Sequence, residues 1–167
     1  RSITISKLEP MEQSILWDIG GGSGSVSIEW SKIHKNTTIS IVEVNINRIK
    51  FIKNNIKKFG VNNISVLHAS VPEILCQMDR PNRIFIGGGL ASSDGLQIIE
   101  ESIDSLLPSG ILVANGVTTE TEILLIDMYK KHGGELLKHS TSNIKKIGNL
   151  HAWDQKMQVT QWKYIKE

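Results

Sequence analysis

The chain has 167 residues, 40% hydrophobic and 22% charged, with a formal net charge of +2. That composition fits one soluble domain able to bury its own core, and it is too weakly basic to argue for nucleic acid. A single cysteine excludes an internal disulfide and any paired-cysteine redox or metal site, and no apolar run reaches membrane-spanning length.

Two hydrophobic periods alternate along the chain. "SILWDI" (Ser14 to Ile19) is a short apolar run stopped by glycines, as a buried parallel strand should be. "SVSIEWSKI" continues as a helix, with Val26, Ile28 and Ile33 as its apolar contacts. "TTISIVEV" (Thr37 to Val44) is β-branched and reads as the second strand. Ile49, Ile52, Ile56 and Phe59 then recur at helical spacing, opposite Lys50, Lys53 and Lys57, and Gly60 ends that helix. "NISVLHAS" (Asn63 to Ser70) is strand three, and Cys76 in the short apolar helix "PEILCQM" is expected to be a small core residue.

Strand four is "RIFIGGG" (Arg83 to Gly89), followed from about Asp94 by a helix carrying Leu96, Ile99, Ile103 and Leu106. Strand five is "ILVANGV" (Ile111 to Val117). The helix after it has Thr119 and Glu122 at capping-box spacing and closes on Gly133 and Gly134. "GELLKHSTSN" and "MQVTQWKYI" are strand-like and are separated only by "IKKIGNLHAWDQK", read as a loop. Repeated strand–helix units predict an α/β fold with helices on both faces of a mostly parallel, seven-stranded sheet. The last two strands should form its antiparallel edge.

The segment "DIGGGSG" carries the functional signal. A phosphate-binding P-loop needs Lys and Ser/Thr after its last glycine, but Gly24 is followed by Ser25 and Val26. A dinucleotide loop wants a third glycine where Ser25 stands. What fits is Asp18-x-Gly20-x-Gly22-x-Gly24, in which Asp18 is a poor neighbour for pyrophosphate and a good one for an ammonium or sulfonium. A zwitterionic amino-acid tail would meet the helix dipole with its carboxylate. Glu43, at the end of strand two, stands where this fold accepts hydrogen bonds from ribose hydroxyls. Singly, Asp18 reads as a turn cap and Glu43 as an ordinary strand-end acid. Together with the spacing they point to S-adenosyl-L-methionine and a Rossmann-like class I methyltransferase.

"LWDIGGGSGSVSIEW", "FIGGGL", "GILVANGVTTET" and the closing "VTQW" resemble the methyltransferase domain of the precorrin-6Y C(5,15)-methyltransferase (decarboxylating) family of cobalamin biosynthesis. The resemblance runs from about Ser2 to Lys166. It implies a C-methyltransferase that methylates a meso carbon of a reduced tetrapyrrole and decarboxylates an acetate side chain. By that resemblance Gly20, Gly21, Gly22, Ser23 and Gly24 wrap the methionine moiety, Glu43 binds ribose, and Ser70 and Val71 border the adenine. Family members carry a Thr-Lys-x-Glu segment before the stretch matching "RSITISKL", and many methyltransferases place an acid where Ser70 stands.

Gly87 joins the expected cofactor-binding set, and, given such a substrate, Gly88 and Gly89 leave room beside the cofactor for a flat macrocycle. Asn115, Thr118 and Glu120, at the end of strand five, are candidates for substrate contact or proton transfer. Thr118 and Thr119 also compete to cap a helix, and Glu120 suits its first turn. The substrate's carboxylates call for cations, and Lys145, Lys146 and His151 are the candidates, with Arg48 farther back. His68 and His139 read as sheet residues, and no metal is expected. Alternatives are another acceptor, such as tRNA or a protein carboxylate, or a noncatalytic cofactor-binding module. A basic stripe for RNA is absent. The expectation is a single domain spanning 1–167 that lacks an amino-terminal segment or a carbon-5 methyltransferase partner domain, located in the cytoplasm and able to self-associate.

Overall fold

The computed structural model describes residues 1–167. Its seven-stranded sheet has the order β3-β2-β1-β4-β5-β9-β6, built from β1 (Ile15–Ile19), β2 (Thr38–Glu43), β3 (Ile64–His68), β4 (Arg83–Ile86), β5 (Ile111–Gly116), β6 (Glu135–His139) and β9 (Val159–Ile165). The first five run parallel, while β9 lies antiparallel between β5 and β6. The chain reverses strand order after β3, crossing from β3 to β4 beside β1. That reversal opens a crevice beyond the carboxyl ends of β1 and β4, the usual ligand position in such sheets.

Two apolar layers hold helices to the sheet. On one face α1 (Ser2–Leu8), α2 (Ser25–Ile33) and α3 (Ile46–Phe59) pack over Leu16, Ile39, Ile41, Phe85 and Val113. On the other, α4 (Gly95–Ser105) and α5 (Thr119–His132) cover Trp17, Ile84, Ile86, Leu112 and Trp162. Asn45 starts α3 by accepting from the Asn47 and Arg48 amides, and Gly60 ends it in a left-handed conformation.

Several expectations are corrected at the ends of helices, where periodicity carries least information. Ile33, Phe59 and Leu96 are about half exposed, and Trp30, fully buried, fills the place expected of Ile33. Phe59 instead lies under the Lys32 ammonium, 4.2 Å from its ring centre. Thr118, not Thr119, caps α5, and Glu122 pairs with Lys138. The helix expected around Cys76 is one 3-10 turn, Leu75–Gln77. In a single turn only one residue can face the sheet; Leu75 takes that place and Cys76 is exposed.

Two further elements lie outside the expected pattern. Helix α1 is anchored by Arg83, a buried residue whose Nε donates to the Leu8 carbonyl at 2.7 Å. The expected loop "IKKIGNLHAWDQK" is a β-hairpin, β7 (Ser142–Ile147) and β8 (Leu150–Gln155), whose strands pair only with each other. Gly148 (φ 58) and Asn149 form its two-residue turn, with the left-handed residue first, as type II′ turns require.

Candidate active site

Strand β1 delivers Asp18 to the base of the crevice and then turns sharply through Gly20. The Gly20 and Gly87 amides extend the sheet by donating to the Val42 and Ile19 carbonyls, both at 2.9 Å. Gly20 (φ 72) lies so close to the segment after β4 that a Cβ there would stand 2.8 Å from the Gly88 backbone. Two glycines therefore let two backbones touch, and no side chain stands between the loop and the strand-four end. Gly24, also left-handed (φ 73), converts the loop into α2. Gly21 packs against Ile41, while beside Gly22 the space is open except for the loop's own Gly20 carbonyl.

A cavity of about 270 Å³ opens over this junction. Gly20 and Gly88 form its floor, Glu43 and Val44 one wall, and Ser70 and Val71 another, with Gly89 and Arg48 also lining it. A depression of about 310 Å³ between α2 and α3 is larger, but no buried ionisable group lines it, and its Arg1 and Glu29 are already paired to each other. The strand-end cavity is the candidate because a buried carboxylate, Glu43, lines it.

Glu43 is 3% exposed. Its Oε2 accepts from the Gly22 amide at 3.1 Å and its Oε1 from the Asn45 amide at 2.9 Å, so it ties the glycine loop to the end of β2. Lone pairs remain on both oxygens for further donors. Asp18 lies beneath the loop, 1% exposed, and does not line the cavity. Ser27 of α2 donates to its Oδ2 at 2.6 Å, while Oδ1 is buried with no partner. Burial raises its carboxyl to about 6, against the Ser27 hydrogen bonds and with a smaller contribution from the Glu43 charge. Glu43 has one cation at ion-pair distance, Arg48, which stands 3.8 Å away with its side chain 60% exposed. Sequence reasoning put Arg48 with the substrate carboxylates; the structure places it in the cavity lining beside Glu43.

The remaining candidates fall elsewhere. Ser70 borders the cavity and donates to Glu73 at 3.0 Å. Ser23 contributes its carbonyl, held by Asn55 at 2.9 Å. Gly87 sits against the Phe85 ring. Asn115 is tied into a polar cluster with two distant residues: its Nδ2 donates to Thr4 at 3.1 Å and its Oδ1 accepts from Gln161 at 2.7 Å. Thr118 is occupied as the α5 cap, 3.3 Å from the Thr121 amide. Glu120 is exposed, and its own amide with the Thr118 and Thr119 hydroxyls holds its carboxyl below the usual range, which makes it a poor proton donor near neutrality. Lys145, Lys146 and His151 are exposed on the hairpin, with Lys146 opposite His151 and Lys145 opposite Ala152. His68 and His139 end β3 and β6. No cluster of His, Cys, Asp and Glu has the makings of a metal site.

Sequence reasoning missed Val44, an exposed apolar residue on the cavity wall beside Glu43. Its position directly after the ribose candidate was the available signal.

The family model described as "Precorrin methyltransferase domain" matches residues 1–166. A curated relative from Sinorhizobium sp., named precorrin-6Y C(5,15)-methyltransferase [decarboxylating], is 39% identical over 99% of this chain and 40% of its own length. The chain thus spans about two fifths of the curated relatives it matches first, the next two being covered over 41%. The crystal structure of the C-terminal domain of precorrin-6Y C5,15-methyltransferase from Rhodobacter capsulatus has a TM-score of 0.89 and 32% identity, covering 98% of this chain and 86% of that one. A SAM-dependent O-methyltransferase from Thermotoga maritima, 15% identical with a TM-score of 0.75, shares the fold alone, over 99% of this chain and 63% of its own.

Proposed function

This chain belongs to the precorrin methyltransferase domain family, and from that premise we propose that it is an S-adenosyl-L-methionine-dependent C-methyltransferase. Its acceptor is a precorrin, precorrin-6Y or the cobalt form, methylated at a meso carbon and decarboxylated at an acetate side chain. The observation that carries the reading is a buried carboxylate, Glu43, lining a cavity floored by bare backbone, with a second, Asp18, buried beneath its glycine loop. Two buried acids with no buried cation paired to either suit a sulfonium and an ammonium and disfavour a pyrophosphate. The buried Asp18 Oδ1 has no hydrogen-bond partner within the protein, as expected of a site completed by a cationic ligand.

In this reading Glu43 accepts from the ribose hydroxyls while keeping hold of the Gly22 amide. The amino-terminal end of α2 faces the ligand's carboxylate. Val44, Ser70 and Val71 border the adenine. S-adenosyl-L-methionine, when bound, supplies an electrophilic methyl group.

An enamine-like acceptor carbon is already nucleophilic, so the protein's task is alignment. Gly88 and Gly89 allow a flat ring to approach the cofactor cavity without a side chain intervening. Asn115, held between Thr4 and Gln161, is the best-fixed polar group at the end of β5 and is kept as a substrate contact. Glu120 is not retained as the acid for decarboxylation.

The test is turnover. Methyl-labelled S-adenosyl-L-methionine incubated with the chain and either precorrin should place label on the macrocycle and release carbon dioxide. Cofactor binding with neither product would overturn the assignment of the acceptor.

A further inference from the structure

The cofactor cavity has a second carboxylate in its lining, and the fold gives it no duty. Asp94 and Ser92, from the loop that follows β4, border the same cavity as Glu43 and Ser70. The loop reaches that place because α4 packs on the Leu75–Gln77 turn, which carries the start of the helix back toward the segment after β3. Two apolar side chains line the cavity with Asp94: Val44, 65% exposed after β2, and Ile98, 1% exposed and one turn into α4. Such a lining suits a flat heterocycle with polar groups at its edge.

Asp94 stands just before α4, where an aspartate ordinarily accepts from the first amides of the helix. Here it makes no such bond: its backbone (φ −92, ψ 2) is not extended, and the residue is exposed. Its Oδ1 accepts from the Ser93 hydroxyl at 3.0 Å, and Oδ2 has no partner in the protein. Arg48, the cation of the lining, stands beside Glu43 instead. The other polar side chains around the cavity are committed. Glu43 holds the Gly22 and Asn45 amides. The Ser70 hydroxyl donates to Glu73 at 3.0 Å, and the Ser92 hydroxyl to the Gly89 carbonyl at 2.7 Å. Asp94 is left as the strong acceptor with a whole oxygen unspent.

Resting on the reading that the cofactor is S-adenosyl-L-methionine, we propose that Asp94 recognises the amino group of its adenine. Glu43 takes the sugar hydroxyls, the base lies along Val44 and Ile98, and an exocyclic N–H donates to Asp94. An amino group on an aromatic ring is a donor, and a charged acceptor is its strongest partner. The same carboxylate rejects a purine with a carbonyl at that position, because two acceptors would then face each other. Sequence reasoning left the adenine to Ser70 and Val71, which border it; Asp94 adds the choice of base. A purely structural acid would favour the start of α4 through the helix dipole and serve every ligand alike.

The experiment is calorimetric titration of the full chain with S-adenosyl-L-homocysteine and, separately, with its 6-deamino analogue, in which hydrogen replaces the adenine amino group. The parent should bind S-adenosyl-L-homocysteine about tenfold more tightly than the analogue. Asp94→Ala should lose that preference by weakening S-adenosyl-L-homocysteine alone, and its unchanged affinity for the analogue shows that the cavity is intact. Asp94→Asn, which keeps a neutral acceptor, should retain a preference of a few-fold. Equal weakening of both ligands in Asp94→Ala assigns the residue to α4 and overturns the proposal. So does an Asp94→Ala variant that keeps the parent's preference, or a parent that binds both ligands equally. If the parent binds neither ligand, the cofactor reading itself fails and this inference falls with it.

Discussion

Asp18 is buried without a counter-charge, one oxygen held by Ser27 and the other by nothing. Its carboxyl moves from 3.8 to about 6, an interval worth roughly 3 kcal/mol. Because the folded value is the higher one, the stability Asp18 supplies is complete below 3.8 and is lost as pH rises through about 6. The charge that weakens the fold is the one that attracts a cationic ligand. In Asp18→Asn the advantage in melting temperature of the parent over the variant should therefore shrink between pH 4 and pH 8, measured by calorimetry. S-adenosyl-L-methionine affinity at pH 7.5 should fall about tenfold or more in that variant. Parent affinity should itself decline as pH drops through about 6. The loop that frames Asp18 was legible because Asp18, Gly20, Gly22 and Gly24 are close in sequence. The engagement of Asn115 was not, since Thr4 lies 111 residues away along the chain.

Elements with a long apolar stripe or a β-branched run could be read directly, because their side chains repeat at the period of the backbone. Helix α1 has only 7 residues, among them Ile3, Thr4 and Ile5, and no side-chain cap. It exists through tertiary support, chiefly the Arg83 guanidinium on the carbonyls of Leu8 and Glu9. Arg83→Met should remove those bonds and lower stability by about 2–4 kcal/mol, seen as a lower urea midpoint. Thr4 connects α1 to Asn115, so the same variant should reduce turnover more than cofactor affinity. The hairpin carried a signal that was not used: Gly148-Asn149 between "IKKI" and "LHAW" is a two-residue turn between β-capable runs. The segment reads as a loop in sequence, whereas strand alternation sends the adjacent Lys145 and Lys146 to opposite faces. Replacing Ser142–Gln155 by a short glycine-serine turn should leave the melting temperature and cofactor affinity nearly unchanged, because β7 and β8 pair only with each other.

For the whole molecule, alternating strands and helices gave the layered α/β architecture, and the two antiparallel final strands were expected. Insertion of β9 between β5 and β6 was not expected, since strand order depends on which edges meet and no local pattern records that. The crevice arises from that global order: β1 lies between β2 and β4, and the glycine loop meets Gly88 only because the chain crosses over after β3. No helix is long and apolar enough to cross a membrane. The net charge of +2 is small, so recognition rests on local placement of charge, with acids buried at the cofactor cavity. Calorimetric titration of the chain with S-adenosyl-L-methionine, and separately with NADH, tests that placement most directly. The account predicts one S-adenosyl-L-methionine bound per chain, weakened about tenfold or more by Glu43→Ala, and no heat from the dinucleotide. Binding of NADH with no binding of the methyl donor would contradict it.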